Sequence, residues 1–135
     1  MISLKAQYGL KAIVSLAAYY GKGALQAKEI ASSQNVPVRY LELLLSQLRR
    51  ARLVDATRGK KGGYYLAKKP NTITVFDIVS AFEGNILYSA EGRENGGPLA
   101  FVWKDAEKMA VKYFKSIKIS DLAPKLGSVK EMYHI

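Results

Sequence analysis

The spacing of apolar residues predicts helices in the first half of the chain. Apolar residues follow helical spacing over 4–20 and over 27–33, and the glycines that come after residue 20 end the first of these segments. Asn35 suits the left-handed backbone position of the next turn. Pro37 is expected at the first position of a third helix, 37–51, where a missing N–H costs nothing. The second and third helices, joined by so short a turn, predict a helix-turn-helix.

A glycine-rich basic turn follows the third helix. Short apolar segments over 53–57 and 64–67 flank the stretch Arg58-Gly59-Lys60-Lys61-Gly62-Gly63. The glycines allow positive φ and a tight turn between antiparallel strands. The cationic side chains at its tip do not pack in a core, so they face water or a polyanion. A helix followed by a basic hairpin is typical of a winged helix-turn-helix, with the wing over 53–67.

The second half of the chain predicts further helices and a loop. A helix begins at about Val75, with Thr74 as its N-cap, and Gly84 ends it. Residues 85–97 show little periodicity and are expected to form a flexible loop. A long helix follows over 98–118. The chain is therefore expected to be mainly α, with a small β-wing.

The long helix carries an apolar stripe that no other predicted element covers. A helix of this length needs a partner for such a stripe, and a second copy of the chain would supply it. A ligand pocket built from the same aromatic residues is the alternative. Ser120 is expected to cap a last short helix over 121–126. The stripe consists of Leu99, Val102, Trp103, Ala106, Met109, Ala110, Tyr113, Phe114 and Ile117.

The positive charge is concentrated in the half of the chain that contains the hairpin. Residues 1–70 hold 13 Lys+Arg and 3 Asp+Glu, a net charge of +10, whereas residues 71–135 hold 8 of each. A basic half joined to a neutral half predicts a nucleic-acid-binding module with an assembly or sensing module. A basic surface kept only for solubility is the alternative.

The composition excludes several classes of function. The chain has no cysteine and one histidine, so it has no disulfides, thiolate metal ligands or histidine-rich zinc site. It holds no Ser/His/Asp set and no phosphate-binding glycine loop, which argues against an enzyme. No apolar run is long enough to span a membrane. The first residues lack the pattern of a signal peptide, so a cytoplasmic protein without a membrane partner is expected.

The candidate DNA contacts divide into contacts to phosphates and contacts to bases. Phosphate neutralisation should supply most of the affinity, whereas base edges supply the specificity. Arg39 can bond guanine, Glu42 can accept from cytosine, and Arg58 fits a narrow minor groove. The phosphate candidates are Lys5, Gln7, Tyr8, Lys28, Arg49, Arg50, Arg52, Lys60 and Lys61.

Structural alternatives stay open for several of these residues. Glu42 can instead pair with Arg39 or with another surface cation, and Tyr40 can belong wholly to the core. Arg49 and Arg50 can form a solvated helix end that favours the helix dipole.

These motifs resemble the Rrf2 family of bacterial winged-helix regulators. The resemblance covers roughly residues 2–84 well and the long helix more loosely. The family includes regulators of iron–sulfur cluster assembly, nitric-oxide sensors and repressors of cysteine metabolism. The matching segments are Ser3-Leu4-Lys5-Ala6-Gln7-Tyr8-Gly9-Leu10, Val38-Arg39-Tyr40-Leu41-Glu42 with Leu48-Arg49, and Arg58-Gly59 followed by Gly62-Gly63-Tyr64 and Leu66.

The resemblance implies a homodimeric, sequence-specific repressor of transcription whose long helices cross. The recognition helix 37–51 would enter the major groove of a pseudo-palindromic operator, and the wing 53–67 the flanking minor groove. Arg39, Tyr40 and Glu42, with Val38 beside them, would lie at the groove-facing start of that helix, and Arg58 would be the wing arginine. The expected division is a DNA-binding domain over 1–84, the loop over 85–97, and a dimerisation helix with a tail over 98–135.

The chain departs from the family in the loop and matches some members at its end. Cluster-binding members carry cysteines in the stretch that corresponds to 85–98, and this chain has none. A cysteine-ligated iron–sulfur cluster is therefore excluded, and no cofactor is expected. Cluster-free relatives end in an aromatic-rich tail closing on isoleucine, and this chain closes with Tyr133-His134-Ile135. The alternative function is thus a protein-interaction module whose tail docks into an enzyme of the cysteine synthase type.

Overall fold

The computed structural model describes residues 2–83 and 97–126. It confirms a mainly helical fold with a two-stranded antiparallel wing. Within these residues, none of the helices has the length and hydrophobicity needed to cross a lipid bilayer. The elements are α1 (Leu4–Ala18), α2 (Ala27–Gln34), α3 (Val38–Arg50), β1 (Val54–Thr57), β2 (Gly63–Leu66), α4 (Val75–Phe82), α5 (Ala100–Ser116) and α6 (Ile119–Leu122), with 3-10 turns at Pro70–Thr72, Gly97–Leu99 and Ala123–Leu126.

The turn between α2 and α3 has the predicted backbone. Asn35 is left-handed, with φ 55°, and the N–H of Val36 donates to the Ala31 carbonyl at 2.9 Å. This pattern closes a helix by satisfying one of its last carbonyl groups. Pro37 is not the first helical residue as predicted: it is extended, with ψ 135°, and α3 begins at Val38. Proline has no backbone N–H, and at this position before α3 none is needed for a hydrogen bond within the helix.

The end of α3 repeats this turn with an arginine in the left-handed position. Arg52 has φ 65°. Its N–H donates to the Arg49 carbonyl at 2.9 Å, and the next N–H, of Leu53, donates to the Leu48 carbonyl at 3.0 Å. Leu48 and Leu53 are both buried members of the core, as is common for the residues that such a turn joins. The sequence did not predict this turn, because arginine seldom adopts positive φ.

The wing is attached to the segment that precedes α2. Its strands pair from Val54 with Leu66 to Thr57 with Gly63. The next residue, Tyr64, also exchanges backbone hydrogen bonds with Leu25, at 2.7 and 2.9 Å. Against the predicted ranges, β1 begins one residue after 53 and ends at 57 as predicted, whereas β2 lies one residue earlier than 64–67. This bridge fixes the wing relative to the helix-turn-helix.

The C-terminal segment returns to the core of the domain that contains α3. The N–H of Val75 donates to the Ile117 carbonyl at 2.9 Å, and that of Ile119 donates to the Ile73 carbonyl at 2.8 Å. The side chain of Ile119 is fully buried. The other fully buried large apolar side chains are Ile13, Ile30, Leu41, Leu44, Leu45, Leu48, Val54, Ile73 and Ile78.

This return changes the predicted ends of the last helices. The chain is extended at Ile117, so α5 stops short of the predicted residue 118, and it starts at Ala100 after a 3-10 turn. Ser120 is not the cap of the last helix, because α6 already begins at Ile119. Asp121 takes that role from inside the helix, since its Oδ2 accepts from the Lys118 N–H at 3.1 Å.

The two ends of α4 are held by side-chain hydrogen bonds. Thr74 is the N-cap, as predicted: Asp77 N–H donates to its Oγ1 at 3.2 Å, and Thr74 N–H donates to Asp77 Oδ2 at 2.9 Å. After the helix ends at Phe82, Glu83 Oε1 accepts from the Ser3 N–H at 2.8 Å. The Ser3 hydrogen bonds lower the pKa of Glu83, and the positive charge of nearby Lys5 lowers it further. Partial burial has the opposite effect on this pKa, smaller than that of the hydrogen bonds. Gly84, the predicted end of the helix, lies outside the described residues.

Candidate nucleic-acid interface

The outward face of α3 is fixed by the buried stripe on its other side. Leu41, Leu44, Leu45 and Leu48 are buried against the domain core. Helical geometry therefore directs the intervening positions away from the core. We call these positions the outward face of α3: Val38, Arg39, Glu42, Leu43, Ser46, Arg49 and Arg50, all of them exposed.

An aromatic contact supports the start of this face. The rings of Tyr8 and Tyr40 meet edge to face, with centroids 6.0 Å apart and an interplanar angle of 88°. Lys11 Nζ lies 5.4 Å from the centroid of the Tyr8 ring. Both tyrosines are half-buried, so Tyr40 is not wholly a core residue. The contact brings the beginning of α1 beside the beginning of α3.

An ion pair links the end of the outward face to the wing. Arg49 Nε lies 3.3 Å from Asp55 Oδ1, and the two side chains are 57% and 49% exposed. Asp55, on β1, was missed in the sequence, because nothing in its spacing marks it as a partner of α3. An exposed pair of this kind contributes about 0–1 kcal/mol. Arg49 can therefore exchange Asp55 for a phosphate at little cost. Arg50, at the same end of the helix, is also exposed.

The tip of the wing presents cations to solvent. Arg58, Lys60 and Lys61 are exposed. The turn that carries them is closed by a hydrogen bond from the Gly62 N–H to the Gly59 carbonyl at 2.9 Å. The predicted basic hairpin is therefore present, and its charged side chains are not used by the core.

The remaining predicted contacts lie on the helices around α3. Lys5 and Gln7 are exposed in the first turn of α1, where Gln7 Nε2 donates to the Ile2 carbonyl at 3.3 Å. Lys28 is exposed in the first turn of α2. Within the described part of the chain, Glu42 forms no ion pair with Arg39. Its carboxylate therefore points from the outward face without that partner.

Two residues of the outward face were missed by the sequence analysis. Leu43 is 66% exposed, and Ser46 is exposed one turn further along. Leu43 belonged by type to the apolar set, so a pattern based on residue class could not separate it from the buried leucines. Counting by 100° per residue could have found it, because it lies on the same side as Arg39 and Arg50.

The apolar residues of α5 divide between two faces. Ala110, Phe114 and Ile117, which were predicted to belong to a stripe facing a second copy, are partly buried against the chain's own core. These three positions lie on the side of α5 that packs on α4. Ala106 is half-buried between the two faces. The exposed apolar side chains of α5 and of the 3-10 turn before it are Leu99, Phe101, Val102, Trp103, Met109 and Tyr113. Phe101 lies on the side of the lysines, apart from Val102, Met109 and Tyr113.

The chain is similar to known bacterial transcription regulators over nearly its whole length. It is 36% identical over 133 residues to the HTH-type transcriptional regulator CymR of Bacillus subtilis, covering 98% of this chain and 96% of that protein. It is 28% identical over 127 residues to IscR of Sodalis glossinidius, covering 90% and 77% of the two chains. These relatives are regulators, and the protein is accordingly not an enzyme.

Solved structures agree with these relatives. The structure described as CymR, the global cysteine regulator of B. subtilis, superimposes with a TM-score of 0.80 at 35% identity, covering 93% of this chain and 97% of that one. The IscR structure from T. potens gives a TM-score of 0.78 at 33% identity, with coverage of 93% and 88%.

The residues of this chain do not fit an iron centre of the cysteine-ligated kind. The family profile that matches residues 2–125 is described as an iron-dependent transcriptional regulator. The chain has no cysteine, and residues 2–83 and 97–126 hold no cluster of His, Asp and Glu suited to a metal ion. The match nevertheless spans the helix-turn-helix, the wing and α5. The chain belongs to the Rrf2 family of transcriptional regulators.

Proposed function

We propose that the protein is a homodimeric repressor that binds a pseudo-palindromic operator, with α3 in the major groove and the wing in the flanking minor groove. The observation that carries this proposal is the outward face of α3. It presents Arg39 and Glu42 in its first two turns, where side chains of a recognition helix reach base edges. The Tyr8–Tyr40 contact supports one end of the face and the Arg49–Asp55 pair joins the other end to the wing.

The charge distribution supports phosphate binding by the same half of the molecule. Residues 1–70 carry the whole net charge of +10, and Arg50, Lys60 and Lys61 are exposed around the outward face and the wing tip. Two copies of this surface give on the order of ten phosphate contacts. We therefore expect an affinity that falls steeply as the salt concentration rises.

The exposed face of α5 supports a dimer. Leu99, Val102, Met109 and Tyr113 recur along one side of the helix and are exposed, whereas Lys108 and its neighbouring lysines occupy the opposite side. A contiguous apolar patch rimmed by charges is typical of a protein interface. Pairing of two α5 helices would bury these side chains and would present two recognition helices to two half-sites.

Regulation in this proposal does not use an iron–sulfur cluster, because the chain has no thiolate to hold one. Genes of cysteine metabolism are the first candidates for regulation, since one relative is described as a global cysteine regulator. Repression of chromosomal genes would act in the bacterial cytoplasm.

The tail residues Tyr133, His134 and Ile135 lie outside the described residues, so a cysteine synthase partner stays a prediction. Deletion of these residues should abolish calorimetric binding to such an enzyme and leave DNA binding unchanged. Undiminished enzyme binding by the shortened chain would contradict that partner.

The base contacts are tested with variants on an operator selected from random duplexes. Arg58→Ala should weaken binding about tenfold, because it removes a cation from the minor groove. Glu42→Ala should lower the affinity for the operator only slightly. It should raise, by a larger factor, the affinity for duplexes with a changed base pair relative to the affinity for the operator. Lys112→Ala, on the charged side of α5, is the matched control and should alter neither. Unchanged binding by both test variants would contradict the proposed mode of recognition.

A further inference from the structure

Leu43 is an exposed apolar residue of the outward face to which the proposed contacts assign no role. Its side chain is 66% exposed, on a face whose other members are mostly charged or polar. An isolated exposed leucine on an arbitrary surface needs no explanation. Leu43, however, lies one turn after Arg39 and in line with Arg50, midway along α3 and at the edge of the outward face.

The fold does not account for a leucine at this position. The apolar contacts of α3 come from the buried stripe at residues 41, 44, 45 and 48. Helix propensity does not favour it either, because alanine is at least as good a helix former. Leu43 therefore exposes apolar surface to water in the free protein, and this surface gains from contact only when another molecule covers it.

The major groove offers one apolar group to a side chain of this kind. Thymine presents its C5-methyl group at the edge of the base pair, whereas the other bases present hydrogen-bond donors and acceptors there. Leucine has no atom that can pair with a donor or an acceptor. A leucine on a recognition helix therefore discriminates in favour of thymine by apolar contact and against the bases whose polar groups it would desolvate.

We propose that Leu43 is a specificity-determining residue that contacts the C5-methyl group of one thymine in each half-site. This inference rests on the proposed function, because it needs α3 in the major groove. Arg39 and Leu43 are separated by one helical turn, so the thymine lies close to the base pair that Arg39 contacts.

The experiment removes the methyl group from the DNA and the leucine from the protein. Full-length protein first selects its operator from random duplexes. Each thymine pair, symmetric in the two half-sites, is then replaced by deoxyuridine, which lacks the methyl group and keeps the Watson–Crick hydrogen bonds. Binding of the wild type and of Leu43→Ala is measured by fluorescence anisotropy. At one thymine position the wild type should lose about fourfold affinity per half-site, the equivalent of one buried methyl group. Leu43→Ala should show no loss there.

Two control variants separate Leu43 from its neighbours. Ser46→Ala, on the same face, should keep the wild-type loss at every uracil position. Val38→Ala tests the other exposed apolar side chain of the face and should also keep it. The assignment to Leu43 would be overturned if replacing thymine by deoxyuridine lowered the affinity of the wild type and of Leu43→Ala equally. It would also be overturned if this loss of affinity disappeared only in Val38→Ala. The absence of any selected operator would instead overturn the proposed function, and this inference with it. Leu43→Ala should fold, as circular dichroism can verify, because it replaces an exposed helical residue.

Discussion

Arg52 holds a backbone conformation that glycine adopts at lower cost. Its φ of 65° costs a residue with a Cβ on the order of 1 kcal/mol, yet the turn at the end of α3 requires it. Strain of this kind is often kept where a side chain has a function. For Arg52 we propose that this function is a phosphate contact beside α3.

Arg52→Gly is expected to stabilise the fold and to weaken DNA binding. The free energy of unfolding should rise by about 1 kcal/mol, because glycine takes positive φ without strain, although its greater freedom in the unfolded chain offsets part of this gain. Operator affinity should fall severalfold, since a cation is lost. Denaturant unfolding and anisotropy measure the two effects. Arg52→Asn, which tolerates this conformation but has no charge, should reproduce the loss of affinity. A variant that is less stable than the wild type would contradict the account of the turn.

Glu83 makes stability depend on pH in a definite direction. Hydrogen bonds from Ser3 hold its pKa below the usual 4.5. A lowered pKa in the folded state means that the carboxylate stabilises the fold above about pH 4.5, and that this contribution is lost as the pH falls through the lowered pKa. Glu83→Gln should therefore be less stable than the wild type at pH 7, and the difference should shrink below pH 4.5. Thermal melts from pH 3 to 7 test this. A difference that grows toward low pH would contradict it.

At the scale of elements, the wing depends on a close backbone approach at Gly63. A Cβ there would lie 2.4 Å from the Leu25 carbonyl oxygen, at a φ of 150°. Gly63→Ala should cost more than about 2 kcal/mol, because the chain must part from Leu25 or distort the hairpin. Gly59 is the matched control, since its φ is 104° but nothing lies within 4 Å of its Cβ position. Gly59→Ala should cost only about 1 kcal/mol. If denaturant unfolding showed that both variants lose the same free energy of unfolding, the bridge to Leu25 would contribute little to stability.

The elements with local signals could be predicted from the sequence. Thr74 and Asn35 have the positions assigned to them, because capping and left-handed turns depend on a few adjacent residues. The basic hairpin is also where its glycines indicate. The turn at Arg52 could not be predicted, because arginine gives no local signal for positive φ.

Tertiary contacts decided what the sequence pattern left undetermined. The apolar residues of α5 form one broad stripe in the sequence, but Phe114 and Ala110 are used by the chain's own core. The pairing of residues 117–119 with residues 73–75 ends α5 early, and no local signal marks it. Leu43 shows the same limit at the interface, since only its position relative to the buried stripe distinguishes it from a core residue.

At the scale of the whole molecule, the exposed face of α5 is expected to hold the dimer together. Met109 is 73% exposed at the middle of this face. Met109→Glu should place like charges against each other in the paired helices and yield a monomer, which sedimentation equilibrium detects. Operator affinity should then fall by about a hundredfold or more, because the second half-site contributes only within a dimer.

The opposite side of α5 supplies the control for this variant. Lys108→Glu introduces the same residue one position away, on the charged face, and should leave the dimer intact. A Met109→Glu protein that still sediments as a dimer would require another interface. A wild type that sediments as a monomer would contradict the dimer itself.

The protein is expected to recognise a specific DNA sequence with two-fold symmetry. The most direct test is selection of duplexes from a random pool by the full-length protein, followed by anisotropy on the selected and a scrambled duplex at several salt concentrations. The account predicts a two-fold-symmetric motif bound about 10³-fold more tightly than the scramble, with log affinity falling with log salt at a slope near −9 for about ten phosphate contacts. No enriched motif, and equal affinities that collapse together as salt rises, would contradict it.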